Sequence, residues 1–248
     1  HAGIRAIALN DHNLITAFGN DYGYEQWVVE SLKAYADPGD VVVLVSSSGK
    51  SPNIVNAATY AIQSNLKVVT FTGFSHENPL RTIGNLNLWV DSDSYNHIEI
   101  THLTWILLVA TFIEENPSHV EYLRESLWFI AETLTDHECY PQLDDYKNLC
   151  KETSENGGKV IYLGNGGSSS IASHAATDFT KQSKIRSIAF NDHNLLTCYA
   201  NDYGQVNWMA RAIEAYADPN DAIVCLSASG TSKNVLNAAH SADKLGLP

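Results

Sequence analysis

The sequence has few cysteines, few basic residues and no long uninterrupted apolar run. Its 248 residues include four cysteines, Cys139, Cys150, Cys198 and Cys225, and no two of them form a C-x-x-C pair. A disulfide scaffold of this length would use more, so we expect a reducing, cytoplasmic compartment. The N-terminal residues lack an apolar signal core. The longest apolar stretch, residues 103–113, is too short to span a bilayer, and we interpret it as a buried helix.

Positive charge is also scarce. Asp and Glu total 28 against 15 Lys and Arg, which gives a formal net charge of −13. An acidic surface repels phosphate backbones and anionic lipid, so we expect neither a nucleic-acid partner nor a membrane partner. A small phosphorylated ligand stays open, because backbone N–H groups can hold phosphate without Lys or Arg.

The chain contains an internal repeat. The segment IRAIALNDHNLITAFGNDYG from Ile4 recurs as IRSIAFNDHNLLTCYANDYG from Ile185, an offset of 181 residues. About half of the overlapping positions are identical, which indicates two homologous modules. We interpret residues 1–114 as the later part of a first module, and residues 115–248 as a helical lead-in and the earlier part of a second. Neither module is complete, so we expect a piece of a longer tandem protein, or a chain from which segments are missing.

Short apolar runs alternate with helical patterns along both modules. The runs are bounded by Gly, Asn, Asp or Ser, as buried parallel strands are, at residues 41–45, 67–72, 86–90, 159–163, 185–190 and 222–226. Helical patterns cover residues 24–35, 52–64, 98–114, 120–134, 169–181, 206–216 and 232–245. This alternation predicts an α/β fold with a parallel sheet.

A glycine-rich turn, residues 164–168 (GNGGS), follows one predicted strand and opens a helix. Glycine lets the backbone approach a ligand closely, and a new helix presents free N–H groups at its positive end. The turn therefore suits a phosphate or a sugar hydroxyl. The alternative is a tight strand-to-helix connection with no ligand. We call these residues the glycine turn.

Two serine-rich loops occupy equivalent places in the repeat. The first serine loop is residues 46–51 (SSSGKS), and the second serine loop is residues 227–232 (SASGTS). Their hydroxyls and amides can encircle a phosphate. A serine at a helix start is also an ordinary N-cap. Two copies at the carboxyl ends of strands, where open α/β sheets bind ligands, favour a binding site.

These motifs together resemble the SIS (sugar isomerase) domain family, and within it the phosphoheptose (sedoheptulose 7-phosphate) isomerases. GNGGS is followed by A-x-H-x-A-x-D, and the second serine loop begins 62 residues after Asn165. The resemblance implies a flavodoxin-like three-layer sandwich with a parallel sheet, and a homo-oligomer that binds a sugar phosphate between modules or subunits. The ligand contacts that it implies are Asn165, Gly166, Gly167, Ser168, Ser46, Ser48, Ser51, Ser227, Ser229, Ser232, Asp21 and Asp202.

The resemblance also implies a set of proton-transfer groups. Aldose–ketose isomerisation needs a base and an acid to move a proton between adjacent carbons. Where the family has His and then Glu on the helix after GNGGS, this chain has His174 and Asp178, which at i, i+4 share one helix face. The family's late helix reads roughly D-x-I-Q-E-x-H where this chain reads NHIEITH at residues 96–102, with Asn96 in place of Asp. This segment adds Glu99 and His102 as catalytic candidates.

Several positions depart from the family pattern. Asp178 is one methylene shorter than Glu, Glu99 replaces Gln, and Leu107 replaces a final His and cannot carry a proton. In some family members this set holds zinc. Here the ligands would be His174, Asp178 and Glu99, so zinc is the one cofactor that the pattern leaves open, and none is certain.

Two functions follow from the resemblance. We expect a sugar-phosphate isomerase that acts on a phosphorylated heptose through an enediol, and the alternative is a non-catalytic sugar-phosphate sensor. A sugar-phosphate-cleaving or amino-sugar enzyme is less favoured, because no lysine is placed for a Schiff base and no glutaminase segment is present. His12 and His193, at equivalent places in the repeat, either line a site or begin helices.

Overall fold

The chain divides into two compact units, His1–Ala131 and Glu132–Pro248. The computed structural model describes residues 3–115 and 119–248. Each unit contains one three-stranded parallel sheet. The predicted module boundary, between residues 114 and 115, lies beside residues 116–118, which are outside the described part, and it stays a prediction.

The first unit is built on a sheet of strand order β1-β2-β3. On one face, Val42 and Leu44 of β1 and Val68 of β2 pack against Leu32 of α2 and Ala57 of α3. The bounds of its elements are α1 (His12–Tyr22), α2 (Trp27–Tyr35), β1 (Val41–Val45), α3 (Pro52–Gln63), β2 (Lys67–Thr72), β3 (Leu86–Trp89), α4 (Tyr95–Glu115) and α5 (His119–Leu134), the last of which extends past the division.

The second unit is a three-layer sandwich with strand order β5-β4-β6. All five residues of β4 are buried. Ile161 and Leu163 pack against one helix layer, and Val160 and Tyr162 pack against another. The bounds of its elements are α6 (Tyr140–Glu155), β4 (Val160–Gly164), α7 (Gly167–Lys181), β5 (Ser187–Ala189), α8 (His193–Tyr203), α9 (Trp208–Tyr216), β6 (Ala222–Leu226) and α10 (Lys233–Lys244).

The repeat in the sequence is also a repeat of structure. Helices α1, α2 and α3 and strand β1 recur as α8, α9, α10 and β6 with both ends displaced by the same 181 residues. Because β6 is the copy of β1, the orders β5-β4-β6 and β1-β2-β3 are consecutive parts of one pattern, the flavodoxin-like order 2-1-3-4-5. The predicted α/β fold with a parallel sheet is therefore confirmed.

Helix α4 differs from its sequence-based description. The helical pattern at residues 98–114 agrees with α4 within three residues at its start and one at its end. The prediction that residues 103–113 are buried is only partly met, because Leu108 is buried while Leu103 and Leu107 are exposed within the first unit. Among the described residues, Tyr95–Glu114 is the one helix that is long and apolar enough to cross a membrane by length and composition. Core helices of water-soluble proteins meet the same criterion, so this property alone assigns no membrane role.

Candidate functional site

The glycine turn connects β4 to α7 through a backbone that only glycine adopts readily. Gly166 has φ +52° and ψ −120°, and a Cβ on Gly164 would lie 2.6 Å from the backbone carbonyl carbon of Ser168. The Asn165 carbonyl oxygen accepts the N–H of Ser168 at 3.0 Å. Within the described structure, the N–H groups of Gly166 and Gly167 donate to no backbone acceptor, so both are free to bind an anion.

In each serine loop, the first and last hydroxyls contact each other. The Oγ atoms of Ser46 and Ser51 are 3.2 Å apart, and those of Ser227 and Ser232 are 3.4 Å apart. Ser51 and Ser232 occupy the N-cap positions of α3 and α10, yet neither makes a side-chain capping bond in the described structure. Capping therefore does not account for these hydroxyls, which point into the loop instead.

The glycine of each serine loop has a left-handed backbone conformation. Gly49 has φ +62° and Gly230 has φ +65°. A Cβ on Gly49 would lie 2.0 Å from Oδ1 of Asn78, a fully buried residue whose amide donates to the Ser75 carbonyl oxygen. A Cβ on Gly230 would meet open space. The first loop therefore requires glycine for both backbone conformation and packing.

A cavity of about 530 Å³ lies within the second unit, where the glycine turn faces the start of α10. Its volume is in the range of small-molecule sites. Gly164, Asn165 and Gly166 line it from the glycine turn, and Ser232, Lys233 and Asn234 line it from the other side. Of the predicted contacts, Asn165, Gly166 and Ser232 are thus brought together. Four other predicted contacts belong to the same loops but do not line the cavity: Gly167, Ser168, Ser227 and Ser229.

Two asparagine side chains join the two sides of this cavity. Nδ2 of Asn165 donates to Oδ1 of Asn234 at 2.9 Å, and Nδ2 of Asn234 donates to Oδ1 of Asn165 at 2.8 Å. The sequence motifs did not single out Asn234. Its repeat copy, Asn53, is buried to the same extent. The identity of the two copies at this position is the signal in the sequence that could have identified it.

His174 and Asp178 form the predicted pair on one face of α7. Nε2 of His174 lies 3.1 Å from Oδ2 of Asp178, and the two side chains are 61% and 34% exposed. Neither residue lines the cavity. The shared helix face is confirmed, while the catalytic role of the pair stays a prediction.

The other catalytic candidates lie in the first unit. Oε1 of Glu99, on α4, accepts a hydrogen bond from Oγ of Ser47 at 3.2 Å, which brings this carboxylate to the first serine loop. His102 is only 2% exposed, and its Nε2 lies 3.1 Å from the Thr72 carbonyl oxygen. Burial lowers the pKa of His102, so the ring is neutral and donates through Nε2. This hydrogen bond joins α4, which carries His102, to the last residue of β2.

The remaining predicted residues occupy helix ends. Asp21 and Asp202 lie in the last turns of α1 and α8, where each accepts a hydrogen bond from the preceding asparagine. His12 and His193 are the first residues of the same two helices, which Asp11 and Asp192 cap. Both histidines therefore stand at helix starts, and neither is among the residues that line the cavity of the second unit.

The fold and the cavity define a class: a parallel α/β protein with glycine-rich and serine-rich loops at the carboxyl ends of its strands, where open α/β sheets bind ligands. The chain belongs to the SIS domain family, whose family model matches residues 2–73 and 121–248. Within that family it is of the phosphoheptose isomerase type, as its relatives show.

Two relatives and one solved structure illustrate the similarity. The chain is 45% identical over 102 residues to the phosphoheptose isomerase of Helicobacter pylori strain HPAG1, covering 39% of this chain and 53% of that protein. It is 36% identical over 140 residues to that of Geotalea daltonii, covering 54% of this chain and 70% of that protein. The chain thus spans only about half the length of the first of these relatives.

The solved structure is described as a phosphosugar isomerase from Clostridium difficile 630. It matches this chain with a TM-score of 0.60 at 16% identity, covering 90% of this chain and 60% of that one. At this identity the match supports the fold alone.

Proposed function

We propose that the chain is a sugar-phosphate isomerase that interconverts a phosphorylated heptulose, such as sedoheptulose 7-phosphate, and the corresponding aldose. The observation that carries this proposal is the cavity of the second unit, where Asn165 and Gly166 of the glycine turn face Ser232 of the second serine loop. The relatives named phosphoheptose isomerase supply the substrate class.

Phosphate binding follows from the chemistry of the cavity. The N-terminal end of α10 carries a positive partial charge, and the Ser232 hydroxyl and the free amide of Gly166 can donate hydrogen bonds to phosphate or sugar oxygens. Lys233 adds a cation at the same place, where the first module has Pro52. An anion can thus be bound locally despite the net charge of −13.

The chemistry itself is a proton transfer between two adjacent carbons. A base removes a proton from C1 of the ketose while an acid protonates the oxygen on C2, which gives an enediol. Return of a proton to C2 and loss of the proton on the C1 oxygen then give the aldose. We assign these transfers to His174, Asp178 and Glu99. His102 could take part only if α4 moved away from β2, because its ring is buried there.

Zinc is a further proposal for the same side chains. Nε2 of His174 and Oδ2 of Asp178 are atoms of the types that bind zinc, and their separation of 3.1 Å suits two ligands of one ion. Glu99, from the first unit, is the predicted third ligand. Stoichiometric zinc in the purified protein would support this site, and its absence would remove it.

We also propose a cytoplasmic homo-oligomer whose sites are completed between modules or subunits, with no nucleic-acid or membrane partner. The exposed apolar side chains of α4, including Ile100, Leu103 and Leu107, support burial against another protein surface. The four cysteines are free, as in a reducing compartment. We also propose that the two modules are arranged in tandem in this protein.

The alternative function is a non-catalytic sugar-phosphate sensor. It is favoured by the exposed Leu107, which stands at the position of a family histidine, and by the shorter carboxylate of Asp178. A displacement of about 1 Å in a reacting group can lower a rate by roughly a hundredfold.

Binding and turnover of sedoheptulose 7-phosphate by the full chain distinguish these functions. We expect saturable binding and an aldose product, with binding about tenfold weaker in Ser232→Ala because a hydrogen bond to a charged group is lost. Ser183→Ala, an exposed serine outside the cavity, is the matched control. Binding without product would establish the sensor, and absence of binding would overturn both functions.

A further inference from the structure

Asn234 is the second residue of α10, and its side chain is almost fully buried at 7% exposure. Its Oδ1 accepts the N–H of Val235 at 3.1 Å as well as the amide of Asn165 at 2.9 Å. A backbone N–H can only donate, so this contact identifies which side-chain atom of Asn234 is the oxygen. The buried Asn234 amide is therefore held in one orientation, and its two hydrogen bonds to Asn165 fix the orientation of the Asn165 amide in turn.

Asn165 lines the cavity and is exposed. Its carboxamide has two N–H donors and one oxygen with two lone pairs. The pairing with Asn234 uses one donor and one lone pair, which leaves one of each for a ligand. A rotation of the Asn165 amide would break both hydrogen bonds, so the remaining donor is held in a single direction.

The pair also links two segments that are distant in sequence. Asn165 belongs to the glycine turn, and Asn234 follows Ser232 of the second serine loop by two residues. We assign the Asn165 amide to a sugar oxygen, and Ser232 with the N-terminal end of α10 to the phosphate. The hydrogen bonds between Asn165 and Asn234 therefore connect the residue assigned to the sugar with the first turn of the helix assigned to the phosphate. Such pre-organisation raises affinity because less freedom is lost on binding.

We infer that Asn234 is a positioning residue, which acts on the ligand by fixing the orientation of the Asn165 amide. The inference rests on the proposed function and deepens it, because it concerns recognition of the sugar part of a sugar phosphate. Asn234 acts through Asn165, so removing it has no further effect once the Asn165 side chain is gone.

A double-mutant cycle on the full chain tests this coupling. We expect Asn234→Leu to weaken binding of sedoheptulose 7-phosphate about tenfold, about as much as Asn165→Ala, and the double variant to bind no more weakly than Asn165→Ala. Binding of inorganic phosphate should change by less than about twofold, because the serine loop is intact; a general loss of structure would weaken both ligands.

Asn237→Leu is the matched control. Asn237 lies one turn further along α10 and also donates two hydrogen bonds, to the Val206 carbonyl oxygen at 2.8 Å and to Oδ1 of Asn207 at 3.1 Å. It should lower stability about as much as Asn234→Leu while weakening sugar-phosphate binding by much less, because Asn237 makes no hydrogen bond to Asn165 and reaches the cavity only through the Val206 carbonyl oxygen. Equal losses of affinity in the two variants, or additive losses in the double variant, would overturn the inference.

A second readout does not depend on binding. In nuclear magnetic resonance spectra, one side-chain N–H of Asn165 should exchange slowly with water in the native chain and rapidly in Asn234→Leu. Fast exchange in both would refute the positioning role. A native chain that shows slow exchange but binds no sugar phosphate would refute the proposed function alone.

Discussion

A serine at the start of a helix can cap the helix or contribute its hydroxyl to the preceding loop, and the contacts of Ser51 and Ser232 distinguish these two roles. Both stand at helix starts, where a capping hydroxyl would accept a backbone N–H. Each hydroxyl instead contacts the first serine of its own loop, and no side-chain cap is formed in the described structure. The sequence could not separate these roles, because position alone does not determine a hydroxyl's direction.

Gly49 and Gly230, which occupy the same position in the two serine loops, allow a paired prediction about single residues. Both have positive φ, but only Gly49 has a buried neighbour, Asn78, at the place where a Cβ would go. We expect Gly230→Ala to cost about 1 kcal/mol, from the backbone conformation alone. Gly49→Ala should cost at least about 2 kcal/mol more, because Asn78 must shift and lose hydrogen bonds. Denaturant unfolding measures both, and equal costs would show that Asn78 does not constrain the loop.

Residue-level predictions succeeded where the signal is local. The spacing of His174 and Asp178 was enough to place them side by side on α7, because a helix fixes that geometry. The amide pair of Asn165 and Asn234 was not predicted, since its members are 69 residues apart and meet only after the sheet forms. The burial of His102 depends in the same way on the packing of α4 against β2.

At the scale of elements, an ion pair joins the starts of β4 and β6. Nζ of Lys159 lies 2.5 Å from Oδ2 of Asp221 and 2.8 Å from Oδ2 of Asp218, and the Asp221 side chain is fully buried. Burial lowers the pKa of Lys159, but the hydrogen bonds to Asp218 and Asp221 outweigh it, and the net pKa is raised. Asp221 also accepts two backbone N–H groups, those of Lys159 and Asp218.

The repeat supplies the control for a prediction about this ion pair. Asp40 is the copy of Asp221 and accepts the N–H of Asp37 in the same way, but it is exposed. We expect Asp221→Asn to lower the free energy of unfolding by about 3 kcal/mol, because Lys159 loses the buried one of its two carboxylate partners and keeps only the exposed Asp218. Asp40→Asn should have a much smaller effect. Urea titrations of both variants are the measurement, and similar losses would contradict a structural role for the buried pair.

Elements were predicted well where an apolar run ends at turn residues. Strands β1, β2 and β6 have the predicted bounds, because their apolar runs end at Gly, Asn, Asp or Ser. The predicted helical patterns did not include α1 and α8, apart from the alternative that His12 and His193 begin helices. Neither helix has a buried residue, and each packs only partly buried apolar side chains against its core. Strand β5 is shorter than the apolar run that predicted it, at Ser187–Ala189.

At the scale of the whole molecule, the repeat explains why the motifs are distributed over two units. The second unit contains the glycine turn, a serine loop and the His174–Asp178 pair, while the first contains a serine loop with Glu99 and His102. The motifs located the glycine turn and both serine loops at the carboxyl ends of strands. They could not show which loop residues line the cavity, because that depends on how β4 and α10 are placed by packing.

The location of bound sugar phosphate tests the central claim most directly. We would titrate sedoheptulose 7-phosphate into the full ¹⁵N-labelled chain and follow the backbone amide signals. We expect saturable shifts at Asn165, Gly166 and Ser232, which line the cavity of the second unit, and none at the exposed Ser183. Saturable shifts that leave the glycine turn and the second serine loop unchanged, or no saturable shifts at all, would contradict a sugar-phosphate site there.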